Sequence, residues 1–434
     1  MDRIYALVDC NNFYVSCERV FNRRIDAKPV VVLSNNDGCV IARSNEAKNI
    51  GIPMGEPFFK CEDLLRMHHG HVYSANFALY GDMSRRVMDT LRQFSPDVDV
   101  YSIDEAFLTL AGPADPIATA RRLRATVLRE TGIPVSVGIA PTRVLAKLAN
   151  KRAKRTAAAN GVFSLLDPTE RTAVLAMTDV DDIWGIGGRL AERLRRLGID
   201  TAGQLCVMPD DIARRHLAIV GLRIVHELRG IACIDIGDIA APRRHTIMCS
   251  RSFGATVASR EDLEQALTAF TARAAEKLRA QGSVAGLIMV GIRTALFDPR
   301  FRSYANGAMV RLPEPTDFTP ELAAAAARGL AAIYKPGYRY RQAEVLLGEL
   351  APRVSVQRSL FDPLDPDTVA RRQRLMLAMD RLNRTRGRET VRLAAAGFNR
   401  AWRMRQEHKS PRYTTAWDEL PVVHAGNMAY HNAG

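Results

Sequence analysis

Three carboxylates at two distant points of the chain are placed to hold metal ions together. Asp9 follows an apolar run over residues 4–8, while Asp104 and Glu105 stand side by side between segments 98–103 and 106–110. The alternation in those two segments predicts a β-hairpin with the acidic pair at or near its bend. Neighbouring side chains of a regular strand face opposite ways, so only a turning backbone can aim both acids at one point.

Converging carboxylates repel one another and raise each other's pKa. A hard divalent cation such as Mg²⁺ removes that conflict, because it prefers oxygen ligands. Two such ions can activate an attacking hydroxyl and stabilise a leaving pyrophosphate. The alternative is structural: an Asp-Glu pair is common in acidic turns, and Asp9 can cap a helix. An isolated pair would favour that alternative, and the rest of the chain reverses the balance.

The order of predicted elements around these acids is strand, helix region, hairpin, helix, strand, which fits a ferredoxin-like α+β domain with an insertion. That fold hosts many functions, so the acids carry the functional assignment. Tyr14 lies five residues after Asp9, on the first turn of a predicted helix. A fixed ring beside the acids can exclude a sugar with an extra hydroxyl, although an aromatic residue here also suits core packing.

Positive charge is concentrated in two blocks of the chain. The formal net charge is +14. Residues 121–160 hold ten Lys or Arg against one acid, and residues 371–412 hold thirteen against three. Such patches indicate a polyanionic partner such as nucleic acid. A solubilising surface or a disordered basic tail is the alternative for the second block.

Within the first block, a regular spacing predicts a basic stripe along one helix face. The stripe comprises Arg143, Lys147, Lys151 and Lys154, which recur at helical intervals. Earlier in the chain, Ser44 is a predicted helix cap, and Lys48 and Arg43 near it are suited to bind triphosphate oxygens. A solvated helix face is the alternative for Lys48 and Arg43.

A change of domain is marked by the turn Gly185-Ile186-Gly187, followed by Arg189. A glycine turn before a helix exposes backbone N–H groups that can bind a DNA phosphate without reading sequence. Taken alone, such a turn is more often a simple loop. A linker that contains Arg244 then leads into a second α+β unit over residues 247–347. Arg244, Arg251 and Arg293 are candidates for phosphate contacts, and plain surface charge is the alternative for each.

The remaining features concern partners and compartment. Gln357, Leu360 and Phe361 form a short pattern that suits an extended peptide docking in an apolar pocket. The seven cysteines are scattered, which argues against a zinc site or a disulfide framework. With no bilayer-spanning stretch and no signal peptide, we expect a cytoplasmic protein without a membrane partner.

Four stretches resemble the Y family of translesion DNA polymerases: residues 9–14, 34–43, 102–105 and 410–415. The similarity extends over nearly the whole chain. It implies an α+β multidomain protein with a ferredoxin-like palm (1–25 and 77–165), inserted small fingers (26–76), a helical thumb with a helix-hairpin-helix (166–236), an α+β little finger (242–350), and a clamp-binding motif with a basic C-terminal tail (351–434).

The resemblance also implies roles for individual residues. Asp9, Asp104, Glu105 and the Cys10 backbone carbonyl would bind two Mg²⁺ ions, with Glu105 given the active-site role. Tyr14 matches the steric gate against ribonucleotides. The nucleotide would be bound by Asn45, Lys48 and Lys154; Asn45 and Lys48 stand where many relatives carry Tyr and Arg. DNA would be bound by Gly185, Gly187, Arg189, Arg244 and Arg251, and a sliding clamp by Gln357, Leu360 and Phe361.

The sequence therefore predicts an error-prone, template-directed DNA polymerase that acts across lesions in the SOS response, near the nucleoid. Its expected partners are primer–template DNA, dNTP, a sliding clamp and, from the resemblance, a UmuD′ dimer and RecA. Two other classes use part of the same residues. A nucleotidyl cyclase would need the acids but no thumb turn or clamp peptide, and a DNA-binding scaffold would need the basic surfaces but not the acids.

Overall fold

The computed structural model describes residues 3–110, 115–234, 243–295, 302–355, 365–398, 400 and 402–420. The chain divides into two compact units: residues 1–34, 38–240 and 408–434 form the first, and residues 35–37 and 241–407 form the second. The predicted clamp-binding residues Gln357, Leu360 and Phe361 lie outside the described residues. No helix in the described ranges is long and apolar enough to cross a bilayer.

The first unit contains, in order, β1 (Ile4–Cys10), α1 (Phe13–Phe21), β2 (Val30–Leu33), β3 (Val40–Arg43), α2 (Asn45–Asn49), α3 (Phe58–Met67), β4 (His71–Ser74), α4 (Phe77–Leu91), β5 (Val98–Val100), β6 (Glu105–Leu110), α5 (Pro116–Thr131), β7 (Val135–Ala140), α6 (Arg143–Arg155), β8 (Val162–Ser164), α7 (Pro168–Ala176), α8 (Gly188–Arg195), α9 (Ala202–Cys206) and α10 (Asp210–Leu228).

A five-stranded sheet in the order β5-β6-β1-β7-β8 is the base of this unit. Strand β1 is central and pairs antiparallel with β6 and β7, and the pairing with β6 brings Asp9 opposite Glu105. The strands are short and rich in Val, Leu and Ala because most of their side chains are buried under helices. Strands β5 and β6 form the hairpin that the alternation predicts.

Two smaller assemblies belong to the same unit. Residues 26–76 form a three-stranded sheet in the order β3-β2-β4, with its own apolar cluster that includes Val31, Leu33 and Ile52. Helices α7 to α10 pack around Val180, Leu194 and neighbouring apolar residues, which also contact the sheet through α6. Ser44 caps α2 by accepting a hydrogen bond from the amide of Ala47 at 3.1 Å, as its position predicts.

The second unit contains β9 (Ile247–Val257), α11 (Arg260–Ala280), β10 (Ser283–Thr294), β11 (Ala305–Thr316), α12 (Thr319–Ile333), β12 (Tyr340–Pro352) and α13 (Pro366–Thr385). Its antiparallel sheet has the order β11-β10-β12-β9. Helices α11 and α12 cover one face of the sheet through residues such as Leu267, Phe270 and Leu330. An ion pair between Arg279 and Asp380, both mostly buried, links α11 to α13 at 2.7 Å.

The end of the described chain is more structured than its composition predicts. Residues 408–420 return to the first unit, where Lys409 forms a parallel bridge with Ser74 at the end of β4. The poorly periodic sequence gave no sign of this contact, because a single extended segment with one bridge has no hydrophobic period to detect.

Candidate active site

Asp9 and Glu105 face each other across the centre of the first sheet. They are direct partners in the antiparallel register of β1 and β6, so their side chains lie on the same face. Their side chains are 13% and 20% exposed, respectively. Residues almost a hundred positions apart therefore meet on two adjacent interior strands of the sheet, as the sequence predicts.

Asp104 lies next to them in a turn that Ser102 organises. The Ser102 hydroxyl donates to Asp104 Oδ1 at 2.6 Å and accepts from the amides of Asp104 and Glu105 at 3.3 and 3.1 Å. The amide of Cys10 donates to the Asp104 carbonyl at 2.9 Å, which joins the turn to the end of β1. This is the irregular backbone that two adjacent acids require. Ser102 is a site residue that sequence reasoning missed, although a serine two residues before an aspartate is a known turn signal.

The electrostatics of the site show the conflict expected of converging acids. Burial raises the pKa of Asp9 to about 7, and Glu105 contributes to the rise while Lys154 opposes it. Burial also raises the pKa of the Cys10 thiol, with Asp9, Asp104 and Glu105 all adding to the effect. The three acids thus act together on the same end of β1. A carboxyl group in this state is stabilised by a cation or a proton.

Two lysines of α6 supply that cation in this structure. Lys154 Nζ lies 2.6 Å from Asp9 Oδ1, and Lys147 Nζ lies 3.0 Å from Glu105 Oε2. Lys147 is further held over the rings of Tyr101 and Trp184, 4.2 and 5.1 Å from their centroids. After Ser102, Lys147 is therefore a second candidate functional residue that the sequence analysis missed. Its spacing placed it in the basic stripe but indicated no role.

The predicted basic stripe lies on one face of α6, and each of its four residues contacts a carboxylate. Arg143 is buried and contacts Asp99, and Lys151 contacts Asp182. Helical spacing predicts which residues share a face, whereas the surroundings of that face depend on the sheet and on the residues before α8.

The ring of Tyr14 stands on the first turn of α1, beside the acids. It stacks on Tyr80 with ring centroids 4.5 Å apart at 15°, and Phe77 meets it edge-on at 6.1 Å. Burial raises the pKa of the half-buried Tyr14 hydroxyl, and the nearby Asp104 charge adds to the rise. The ring is therefore fixed by packing and close to the carboxylates, which are the two conditions for steric exclusion.

A group of cations and amides surrounds Lys48. Lys48 Nζ donates to Asn12 Oδ1 at 2.7 Å and to Asn45 Oδ1 at 3.0 Å. Burial lowers the pKa of Lys48, and the charges of Arg43 and Lys154 lower it further. Three cations that repel one another form a favourable site for a polyanion. The structure thus joins Lys48 to Asn45 and places Lys48 within the influence of the Lys154 charge, and triphosphate binding by these residues stays a prediction.

The donor set fits Mg²⁺ in chemistry but is not assembled as a cage. Asp9, Asp104, Glu105 and the Cys10 carbonyl offer only oxygen ligands, the type that Mg²⁺ prefers. Among the residues that the structure describes, however, no three Asp, Glu, His or Cys side chains form a ready metal cluster. The prediction of a three-acid cluster is therefore only partly met, because lysines neutralise Asp9 and Glu105 while Asp104 bonds to Ser102.

The predicted DNA contacts lie in both units. Gly185 adopts a φ of 94°, a conformation that favours glycine, and precedes α8. Gly187 and Arg189 are exposed at the start of that helix. Arg244 and Arg251 are exposed on the second unit, before and within β9. All five positions are open to a phosphate backbone.

Comparison with known proteins places this arrangement in a family. The sequence profile of the impB/mucB/samB family matches residues 8–151, its C-terminal domain matches residues 244–360, and its HHH motif matches residues 168–199. A domain of unknown function matches residues 373–423. Protein UmuC of Salmonella typhimurium is 42% identical over 421 residues, which cover 96% of this chain and 99% of that protein. The chain belongs to the impB/mucB/samB family.

Other relatives extend the assignment. Protein ImpB of Salmonella typhimurium is 39% identical over 98% of this chain and all of its own length. DNA polymerase IV of Moorella thermoacetica is 29% identical over 90% of this chain and 95% of its own. The fold matches a solved structure, the Y-family DNA polymerase chimera Dbh-Dpo4(243-245)-Dbh, with a TM-score of 0.62 over 80% of this chain and 98% of that one, at 22% identity.

The chain is a UmuC-like, DNA-directed DNA polymerase of the Y family, the translesion class. The α+β multidomain fold expected from the resemblance is confirmed. The cyclase and the inactive scaffold, which the sequence left open, are not what the family indicates.

Proposed function

We propose that this polymerase performs error-prone, template-directed synthesis across lesions during the SOS response, by two-metal nucleotidyl transfer from a dNTP to the primer 3′-hydroxyl. The observation that carries the proposal is the cross-strand pairing of Asp9 with Glu105, with Asp104 in the adjoining turn. A structural acidic turn has no need of a second buried acid from another strand.

Asp9, Asp104, Glu105 and the Cys10 carbonyl are the groups that would hold two Mg²⁺ ions. When bound, the ions would activate the primer hydroxyl and stabilise the departing pyrophosphate. The protein's own contribution is positioning: β1 and β6 fix Asp9 against Glu105, and Ser102 fixes Asp104. A site built on paired strands holds its groups within the narrow limits that catalysis requires.

The nucleotide would lie between the lysines and Tyr14. Lys48 and Lys154 would offset the charge of the triphosphate and of the leaving pyrophosphate, with Asn45 as a further contact. Lys48 and Asn45 already bond to each other, so a single arriving phosphate oxygen can engage both. Tyr14, fixed by its stack on Tyr80, would exclude a 2′-hydroxyl.

The DNA and protein partners follow from exposed groups and from the family. Gly185, Gly187 and Arg189 would bind the primer–template backbone, and Arg244 and Arg251 would form a second grip. Gln357, Leu360 and Phe361 would dock to the sliding clamp. Similarity to UmuC supports a UmuD′ dimer and RecA as further partners, with the nucleoid as the place of action.

Primer extension with wild type and Asp104→Ala tests the proposal. The clamp, UmuD′ and RecA are included, on intact and damaged templates. We expect wild type to extend the primer past the lesion. The extension rate of Asp104→Ala should be lower by about a thousandfold or more, since metal stabilisation of the transition state is worth several kcal/mol. Asp97→Ala is the matched control, because Asp97 is an exposed acid near the same hairpin, and should extend normally.

Two results would contradict the proposal. Extension by Asp104→Ala at the wild-type rate would show that this acid is not needed. A cyclic product formed without template would point to the cyclase class instead.

A further inference from the structure

The C-terminal segment 408–420, here called the docking segment, is built into the first unit. The Ser74 amide donates to the His408 carbonyl at 3.0 Å, and the His408 amide donates to Ser74 Oγ at 3.0 Å. Further on, the ring of Tyr413 stacks on Phe21 of α1, with centroids 4.6 Å apart at 12°. The segment lies within the domain of unknown function at residues 373–423.

Asn76, the residue immediately before α4, forms hydrogen bonds with Ser410 and Pro411. Asn76 Nδ2 lies 2.9 Å from the Ser410 carbonyl, 3.0 Å from Ser410 Oγ and 3.1 Å from the Pro411 carbonyl. Asn76 is fully buried, and its Oδ1 accepts from the amide of Leu79 at 3.4 Å as a helix cap. The segment thus fixes the start of the helix that carries Phe77 and Tyr80.

Ser410 also forms a hydrogen bond with Glu18, a buried acid of α1. Glu18 Oε1 accepts from Ser410 Oγ at 3.0 Å and from the Tyr80 hydroxyl at 2.7 Å. Glu18 and Tyr80 are 1% and 0% exposed. Both hydroxyl groups donate to the same buried carboxyl oxygen of Glu18. Loss of either hydrogen bond would leave a buried polar group poorly satisfied, so the two contacts stabilise the same arrangement.

Tyr80 connects this network to the sugar side of the site. Its ring is the one on which Tyr14 stacks, 4.5 Å away at 15°. A chain of direct contacts therefore runs from Ser410 through Glu18 and Tyr80 to Tyr14. Each link is a hydrogen bond or a ring stack within the first unit.

We propose that the docking segment is a positioning element of the polymerase site: Ser410, through Glu18 and Tyr80, holds the Tyr14 ring at the distance that excludes ribonucleotides. This inference rests on the proposed role of Tyr14 as the steric gate. It assigns a role in substrate selection to a segment more than three hundred residues beyond the catalytic acids in sequence. Ser410 and Tyr80 do not themselves touch the nucleotide.

The test compares kcat/KM for a dNTP and the matching rNTP in primer extension by the full chain. The variants are Ser410→Ala, Ser410→Thr, Tyr80→Phe and Tyr14→Ala. We expect Ser410→Ala and Tyr80→Phe to lower the dNTP preference several-fold, with dNTP kcat/KM within twofold of wild type. Ser410→Thr, which keeps the hydroxyl, should restore the preference. Thr415→Ala is the control, because Thr415 is exposed in the same segment.

The outcomes separate this inference from the proposed gate. If Tyr14→Ala leaves the preference unchanged, the gate itself is refuted. If Tyr14→Ala admits ribonucleotides while Ser410→Ala and Tyr80→Phe select as wild type does, the gate stands and the docking role is refuted. An equal loss for both nucleotides would show a merely structural role for the segment and would also overturn the inference. Tyr80→Phe retains the ring and so tests the link even if Ser410→Ala misfolds.

Discussion

Two acids of the first unit, the mostly buried Asp9 and the buried Glu18, are compensated by different groups. Burial raises the pKa of each to about 7. Asp9 is compensated by the ammonium of Lys154 at 2.6 Å, whereas Glu18 receives the hydroxyls of Tyr80 and Ser410. A buried carboxylate held by neutral donors remains costly when it is ionised. Glu18 therefore makes stability depend on pH in a direction that can be worked out.

Glu18→Gln should stabilise the first unit at high pH and not at low pH. The pKa of Glu18 rises from 4.5 to about 7 on folding, so the folded state binds the proton more tightly. Wild type keeps its full stability below pH 4.5 and loses up to about 3 kcal/mol as pH rises through 7. Glutamine mimics the protonated acid and avoids that loss. Urea unfolding at pH 5 and 8 measures the difference.

Glu62→Gln serves as the control, because Glu62 is exposed on α3. Its effect should be the same at both pH values. A Glu18→Gln effect that does not grow with pH would contradict the burial argument.

At the scale of elements, the site depends on how closely α6 lies against β7. A Cβ atom added at Gly138 of β7 would fall 2.1 Å from the amide nitrogen of Asn150 and 2.3 Å from the Ala146 carbonyl oxygen. Both contacts are with the backbone of α6, which cannot move aside cheaply. This helix carries Lys147 and Lys154, so the glycine sets the distance between the lysines and the acids.

Gly138→Ala should lower both stability and activity. Overpacking of this kind costs about 1–3 kcal/mol, and a shift of α6 moves both lysines away from the acids. Gly81→Ala is the matched control: Gly81 lies within α4 with nothing within 4 Å of an added Cβ, so alanine should be neutral or stabilise by up to about 1 kcal/mol. Thermal unfolding and primer extension measure both effects. Equal behaviour of the two variants would contradict the packing argument.

The elements also show which features the sequence can reveal. The β5–β6 hairpin was predictable because alternation is local, and the Ser44 cap was predictable because it acts three residues away. The pairing of Lys147 with Glu105 was not predictable. Residue spacing shows which side chains share a helix face, but it does not show which residues pack against that face. The bond from Ser410 to Glu18 spans 392 positions and leaves no periodic trace.

At the scale of the whole molecule, the net charge of +14 is only partly available to DNA. Four cations of α6, the residues of the basic stripe, are paired with carboxylates, so the first basic block contributes less to DNA binding than its composition suggests. Exposed arginines outside that block become the better candidates. Arg244 and Arg251 of the second unit are both exposed, and the hydrogen bond described for the Arg251 side chain is with the neighbouring Ser250 carbonyl.

Arg244→Ala and Arg251→Ala should each weaken primer–template binding and reduce its salt dependence. A residue that contacts a phosphate contributes about one to the slope of log K against log salt concentration. Arg260→Ala is the control, since Arg260 pairs with Glu264 on α11. Fluorescence anisotropy across a salt series measures the slopes. Slopes equal to wild type in both variants would place these arginines away from the DNA.

Metal binding by the assembled complex tests the central claim most directly. Mn²⁺ stands in for Mg²⁺ and is counted by electron paramagnetic resonance, with primer–template and a non-hydrolysable dNTP present. We predict two coupled ions per chain in wild type and in Asp97→Asn, and loss of the coupled pair in Asp9→Asn, Asp104→Asn and Glu105→Gln. Two coupled ions that persist in all three acid variants, or no coupled pair in wild type, would contradict the account.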